Sequence, residues 1–182
     1  MEKIILKPSD HILQLALKSE REFLRKKTEN LPVELLGDKK FQRELRTVFE
    51  KMRKMMTAVE GVGLSANQAG MPWRFFVARA ADKDGKMKFY SAINPKIVKT
   101  GKAKEVVEEG CLSVPLKFGP VERALSLTLL CYNLQGKKVR IEAKGLLARI
   151  FQHETDHLEG KLFIDKAQYI EEIQNANIKV QN

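Results

Sequence analysis

Between residues 40 and 60 the apolar side chains Phe41, Leu45, Val48, Phe49, Met52, Met56 and Val59 recur at helical spacing, with charged residues filling the opposite face. The spacing predicts an amphipathic helix there, and its methionines read as core. Residues 9–28 carry a looser pattern that predicts one earlier helix, capped by Ser9 or Asp10; "LPVELLGD" then breaks it. After Gly61 the period shortens. "WRFFVARA", "KFYSAIN", "KIVKT" and "RALSLTLLCY" are short, β-rich and bounded by turn residues. "NLQGKK" is a hairpin signal leading into "VRIEA". Gly145 precedes a third helical stretch over 146–159. A last helix is predicted from Ala167 through "YIEEIQNA". Helices, then strands, then a helix imply an α+β fold with antiparallel or mixed β-sheet.

The chain has 182 residues, 43% of them hydrophobic, which suits a single domain over 1–182 with a sizeable core. No apolar run approaches the roughly 20 residues of a membrane span, so no membrane association is expected. Met1-Glu2-Lys3 opens no secretory signal. Two cysteines, Cys111 and Cys131, make no disulfide framework, and a reducing cytoplasm is the natural setting. The net charge is +10. Such a balance suits an acidic neighbourhood such as RNA, but the basic residues alternate with acids (Arg21, Arg25 and Lys26 with Glu20 and Glu22), as on a solvated surface. Specific nucleic-acid recognition is not expected.

Two of the three histidines fall in "QHETDHLEG" at 152–160. His153 and His157 are four residues apart, so on a helix they share a face, and Glu154 follows the first. Two imidazoles there can hold one metal ion, while the carboxylate moves protons on a water. The neighbours Leu146, Leu147, Ile150 and Phe151 put the pair at a core boundary, where polar groups need partners. A catalytic site needs a third protein ligand. Asp165, Glu171 and Glu172 lie downstream; Cys111, in "EEGCLSVP", lies upstream, and thiolate suits a borderline-soft divalent ion. Cys131, in the apolar "LTLLCYN", reads as core.

"GVGLSANQ" at 61–68, "EGCLS" at 109–113 and "QHETDH" at 152–157, in this order, resemble peptide deformylase. The likeness is clearest from about Glu60 to Asp165, and the segment before it is atypical. The resemblance implies antiparallel and mixed sheets packed around a central helix that carries the H-E-x-x-H motif, with helices at the N-terminal side. It implies one divalent metal ion held by Cys111, His153 and His157: Fe2+ in the cell, with Zn2+, Ni2+ or Co2+ able to substitute. Glu154 becomes the general base and later the acid; the Gln68 amide and the Leu112 N–H hold the oxyanion. The implied reaction removes formyl from N-terminal formylmethionine of nascent polypeptides, releasing formate, with transient ribosome association. Gly61 and Gly63 let backbone approach an extended substrate, Gly110 is a further substrate-binding position, and by the resemblance Val62, Val107, Leu146 and Ile150 help form the slot for its methionine. Glu109 and Arg123 read as a buried supporting ion pair. Ser65 and Asn67 depart from the commoner "GLAATQ", and "LKFGP" at 116–120 replaces a stretch that is often polar. Two other readings remain: a zincin-type metallopeptidase whose third ligand is a downstream acid, and a basic ribosome- or RNA-binding module with a structural metal closed by a fourth protein ligand.

Overall fold

The structure, a computed structural model, describes residue 4 and residues 6–173. Helix α1 (Lys18–Leu24) and helix α2 (Lys39–Ala58) precede the strands. Strands β1 (Gly63–Ser65), β2 (Phe75–Ala81) and β3 (Met87–Thr100) follow, then β4 (Lys104–Cys111), β5 (Val114–Ala124), β6 (Ser126–Tyr132) and β7 (Lys138–Lys144). Helix α3 (Gly145–Leu158) and the short β8 (Glu171–Glu172) complete the order. One antiparallel sheet runs β1-β2-β3-β6-β7 and a second runs β4-β5-β8. No helix among the described residues is long and apolar enough to cross a membrane.

The Asp38 carboxylate accepts the Phe41 N–H at 2.7 Å, which satisfies one of the open donors that start α2. Leu45, Val48, Phe49, Met52 and Met56 are buried as the spacing predicts. Val59 lies past the helix end and is exposed. The "FFVA" run of β2 is buried on both faces. Phe75 and Val77 join α2 in one cluster, with Phe75 and Phe49 ring centroids 5.1 Å apart. Phe76 and Ala78 face α3, with Phe76 and Phe151 5.4 Å apart. Burying each such ring contributes roughly 1.5–3 kcal/mol. The opposite side of α3 meets β4 and β5 through Glu109, Ala124 and Val121. The motif helix is thereby held between the two sheets.

Several expectations are corrected. Residues 9–17 form no helix. Ser9, Leu13 and Leu15 donate their N–H groups to Ala69, Gln68 and Ser113 carbonyls, so they are unavailable for a helical ladder. "KFYSAIN" and "KIVKT" are one strand with a register irregularity around Asn94 and Pro95. "RALSLTLLCY" divides at Leu125, where the chain leaves the second sheet for the first. Strands β4 and β5 were not legible as such. β4 is exposed along most of its length, and its glutamates, with Pro115, Gly119 and Pro120 of β5, hide the period-2 signal. The tail residues Glu171 and Glu172 pair as a strand with Phe118 and Lys117; the expected helix beyond Ile173 lies outside the described residues.

Candidate active site

Helix α3 presents His153 and His157 side by side, with their Nε2 atoms 3.2 Å apart. Cys111, the last residue of β4, enters from the second sheet. Its Sγ lies 3.2 Å from His157 Nε2, and the three donor atoms lie within 4.8 Å of one another. Cys111 comes where the β4–β5 register shifts after Gly110, which turns its side chain toward α3.

The residues fit a cation. The Glu109 carboxylate can only accept, so its contact with His153 Nδ1 at 3.1 Å puts the hydrogen on Nδ1 and leaves the Nε2 lone pair facing the cluster. Two imidazoles and a thiolate are good ligands for a divalent ion, and three protein ligands with an open side make a catalytic set. Among the described residues no fourth His, Cys, Asp or Glu joins this group. The downstream acids are engaged elsewhere: Asp165 with Arg25 and the Leu162 N–H, Glu171 and Glu172 on β8. The third donor that reaches the histidines is Cys111.

Glu109 is a hub. Arg123 grips both of its oxygens at 2.9 Å, and Arg149 reaches Oε1 at 2.7 Å. Burial alone raises this carboxyl, but the hydrogen bonds from His153 and Arg123 outweigh it and hold it well below the ordinary range. Arg123 also binds Asp156, one residue before His157. Arg149 belongs to no motif in the sequence; its position four residues before His153, on one helix face, is the local signal for it.

Glu154 is 3% exposed, and its Oε2 has no hydrogen-bond partner among the described groups. Burial pushes its carboxyl up to about 7. The β1 backbone lies directly against it: a Cβ on Gly63 would fall 2.1 Å from Glu154 Oε1. Gly63 thus has a reason beyond substrate approach, because it makes room for this carboxylate. A Cβ on Gly61 would meet Leu112 Cδ1 at 2.8 Å, and one on Gly110 would meet the Phe118 ring at 2.7 Å.

Gln68 is buried with a fixed orientation. The Ser65 N–H, which can only donate, meets its Oε1 at 2.9 Å. Its Nε2 therefore points at Ser113 Oγ, 3.1 Å away, and toward Cys111 Sγ at 3.6 Å. Asn67 donates to the His157 carbonyl at 2.7 Å, tying the β1 segment to the end of the motif helix. The Ser65 hydroxyl lies 2.8 Å from Asn67 Oδ1 and 2.9 Å from Gln68 Oε1, so Ser65 and Asn67 have local purposes that the sequence did not reveal.

A cavity of about 190 Å³ opens beside the cluster. Val62, Gly63, Gln68, Gly110, Leu112, Leu146, Ile150, His153 and Glu154 line it, with Glu108 and Arg149 at its polar side. Gly61, His157 and Val107, the last 39% exposed on β4, are outside the lining.

The sequence pattern of the family described as Polypeptide deformylase matches residues 14–172. A peptide deformylase of Halothermothrix orenii is 47% identical over 120 residues, spanning 66% of this chain and 75% of the relative. The crystal structure of peptide deformylase from Thermotoga maritima aligns with a TM-score of 0.76 and 34% identity, covering 90% of this chain and all (100%) of that one. A deformylase from Acinetobacter baumannii, solved with Met-Ala-Ser bound, aligns at 0.75 and 27% identity over 91% of this chain and 99% of its own. Pattern, sequence and frame agree, and the family pattern spans the strands and helix that build the cluster: the chain belongs to the polypeptide deformylase family, metal-dependent hydrolases that remove the formyl group from the N-terminal formylmethionine of new polypeptides.

Proposed function

We propose that this deformylase holds one divalent ion between Cys111, His153 and His157, moves protons through Glu154, and receives the formyl oxygen on Gln68 Nε2 and the Leu112 N–H. The observation that carries this reading is the convergence of Cys111 Sγ and both Nε2 atoms beside a buried carboxylate with an unpartnered oxygen. The bound ion supplies Lewis acidity, which lowers the pKa of a water from about 15.7 toward neutrality. Glu154 accepts that water's proton and later delivers it to the leaving amine; burial, which raises its affinity for a proton, suits both steps. Gln68 and the Leu112 N–H aim donors at the oxygen where negative charge develops; losing one such donor typically costs about 3–4 kcal/mol. The Glu109 carboxylate keeps the His153 proton on Nδ1 throughout. Val62, Leu146 and Ile150 offer apolar surface to the methionine, with Gly63 and Gly110 as backbone beside the peptide, whereas Val107 and Gly61 stand outside this lining.

Ferrous iron is the proposed resident ion, with zinc, nickel or cobalt able to replace it; a thiolate with two imidazoles accommodates all four. Hydrolysis of formyl-Met-Ala-Ser by protein purified without oxygen, alongside its metal content, tests both parts. One iron per chain and released formate are expected. No formate defeats the function, whereas zinc alone defeats only the choice of ion.

In cobalt-loaded protein, Cys111→Ser is expected to abolish the sulfur-to-metal charge-transfer band and weaken ion binding. Cys131→Ser is expected to change neither, because Cys131 is 2% exposed on β6 and burial pushes its thiol up to about 11. An unchanged band in Cys111→Ser would remove the thiol from the ligand set.

The substrate also suggests a cytoplasmic place of work and transient contact with ribosomes. Net charge supports the contact; Lys27, Arg74, Lys96 and Lys138 line one surface cavity of about 650 Å³, in which Glu159 is paired to Lys27 and Arg74. Co-sedimentation with ribosomes is expected to fall steeply as salt rises, and to change little when residues 174–182 are removed. Salt-insensitive binding, or its loss on that truncation, would overturn the electrostatic account.

A further inference from the structure

The tip of the β4–β5 hairpin, Cys111 to Val114, carries the Leu112 N–H, yet it is where the ladder register shifts. Regular sheet bonding alone does not hold it. Three consecutive residues of the 9–17 segment take over. The Leu13 N–H donates to the Gln68 carbonyl at 2.8 Å and the Leu15 N–H to the Ser113 carbonyl at 2.9 Å. Between them Gln14 Nε2 donates to the Leu112 carbonyl at 3.0 Å and to the Ile12 carbonyl at 3.1 Å. Both of its partners are carbonyl oxygens, so the amide must face them with its nitrogen.

The strap is itself anchored by α1. Glu20 accepts the Gln14 N–H at 2.5 Å and contacts His11 Nε2 at 2.8 Å, and Arg21 Nε donates to the Leu15 carbonyl at 2.9 Å. One short segment therefore grips the backbone of both proposed oxyanion donors. The Leu112 N–H and C=O lie on adjacent peptide planes that share one Cα, so holding the carbonyl restricts the rotation that would swing the N–H away.

We infer that Gln14 is a positioning residue for formyl hydrolysis, fixing the Leu112 peptide so that its N–H stays aimed at the oxyanion beside Gln68. The inference rests on the reading of Gln68 and the Leu112 N–H as the oxyanion donors. Gln14 touches neither substrate nor ion in this role. Its loss acts through orientation, which matters in the transition state and little when an unformylated peptide binds.

The test uses the metal-loaded full chain. Gln14→Met keeps the length and removes the donor; Gln14→Glu keeps the shape and places an acceptor opposite the Leu112 carbonyl. Both are expected to lower kcat on formyl-Met-Ala-Ser by about 10-fold or more, while KM and the inhibition constant of unformylated Met-Ala-Ser move less than about twofold. The ion stays at one per chain. Unchanged kcat in both variants, a rise in KM and inhibition constant at constant kcat, or loss of the ion would each overturn the inference. Gln68→Leu separates the two levels. If it keeps full kcat, the reading of the oxyanion donors fails. If it loses about 10²-fold while both Gln14 variants do not, only the role of Gln14 falls.

Discussion

Glu154→Gln is expected to keep the ion and cut formyl hydrolysis at least about 10²-fold, the lower range for losing an acid–base group. The amide keeps the shape of the side chain, which is 3% exposed against β1, so packing changes little. The three proposed ligands are untouched. What disappears is an oxygen able to take a proton from water and return it to the amine. Measuring kcat beside metal content separates the outcomes. Retained turnover removes Glu154 from its role, and loss of the ion turns the defect into one of binding.

Gly63→Ala is expected to produce a similar defect, about 10²-fold in kcat, without touching a reacting group. The new methyl would lie 2.1 Å from Glu154 Oε1, 2.7 Å from its Cδ and 3.0 Å from its Cγ. No such contact is tolerated, so the carboxylate has to swing off its position. The obstacle is the movable end of a side chain, so the sheet survives: β1 keeps its register with Ala78 and Val77 of β2. Ion content and secondary structure are expected to match the parent protein while activity collapses. Full activity in Gly63→Ala would mean that Glu154 works from another rotamer.

Much of the frame was legible in the sequence because it is written at short range. The α2 stripe repeats with the helical period, and Leu45, Phe49, Met52 and Met56 are buried as that period demands. The histidine pair is a local fact too. A spacing of four on α3 puts both rings on one face whatever the rest of the chain does. Gly145, with φ of 54°, opens that helix in a conformation that glycine adopts without strain.

Other features depend on partners far along the chain. Residues 9–17 carry a pattern that a helix could accept, but their donors reach Gln68, Ala69 and Ser113, and those tertiary bonds outweigh local preference. Strands β4 and β5 are held by one another; β4 is exposed along most of its length, and Pro115, Gly119 and Pro120 interrupt the apolar pattern of β5 in the sequence.

By itself the sequence determined the elements with strong local periodicity, the pairing of His153 with His157, and the three segments that resemble one family. Spacing alone left the third donor open between Cys111 and the acids after His157. Tertiary structure brings Cys111 Sγ to 3.2 Å from His157 Nε2 through the hairpin while Asp165 is taken by Arg25, which supports Cys111 as the third member of the proposed ligand set. It also decided that Gly63 stands where Glu154 needs space, and that Glu109, Arg123 and Arg149 form one buried network. The physical reason is the same in each case. Periodicity follows from backbone geometry within a few residues, whereas close approach and charge pairing are set by segments that only folding brings together.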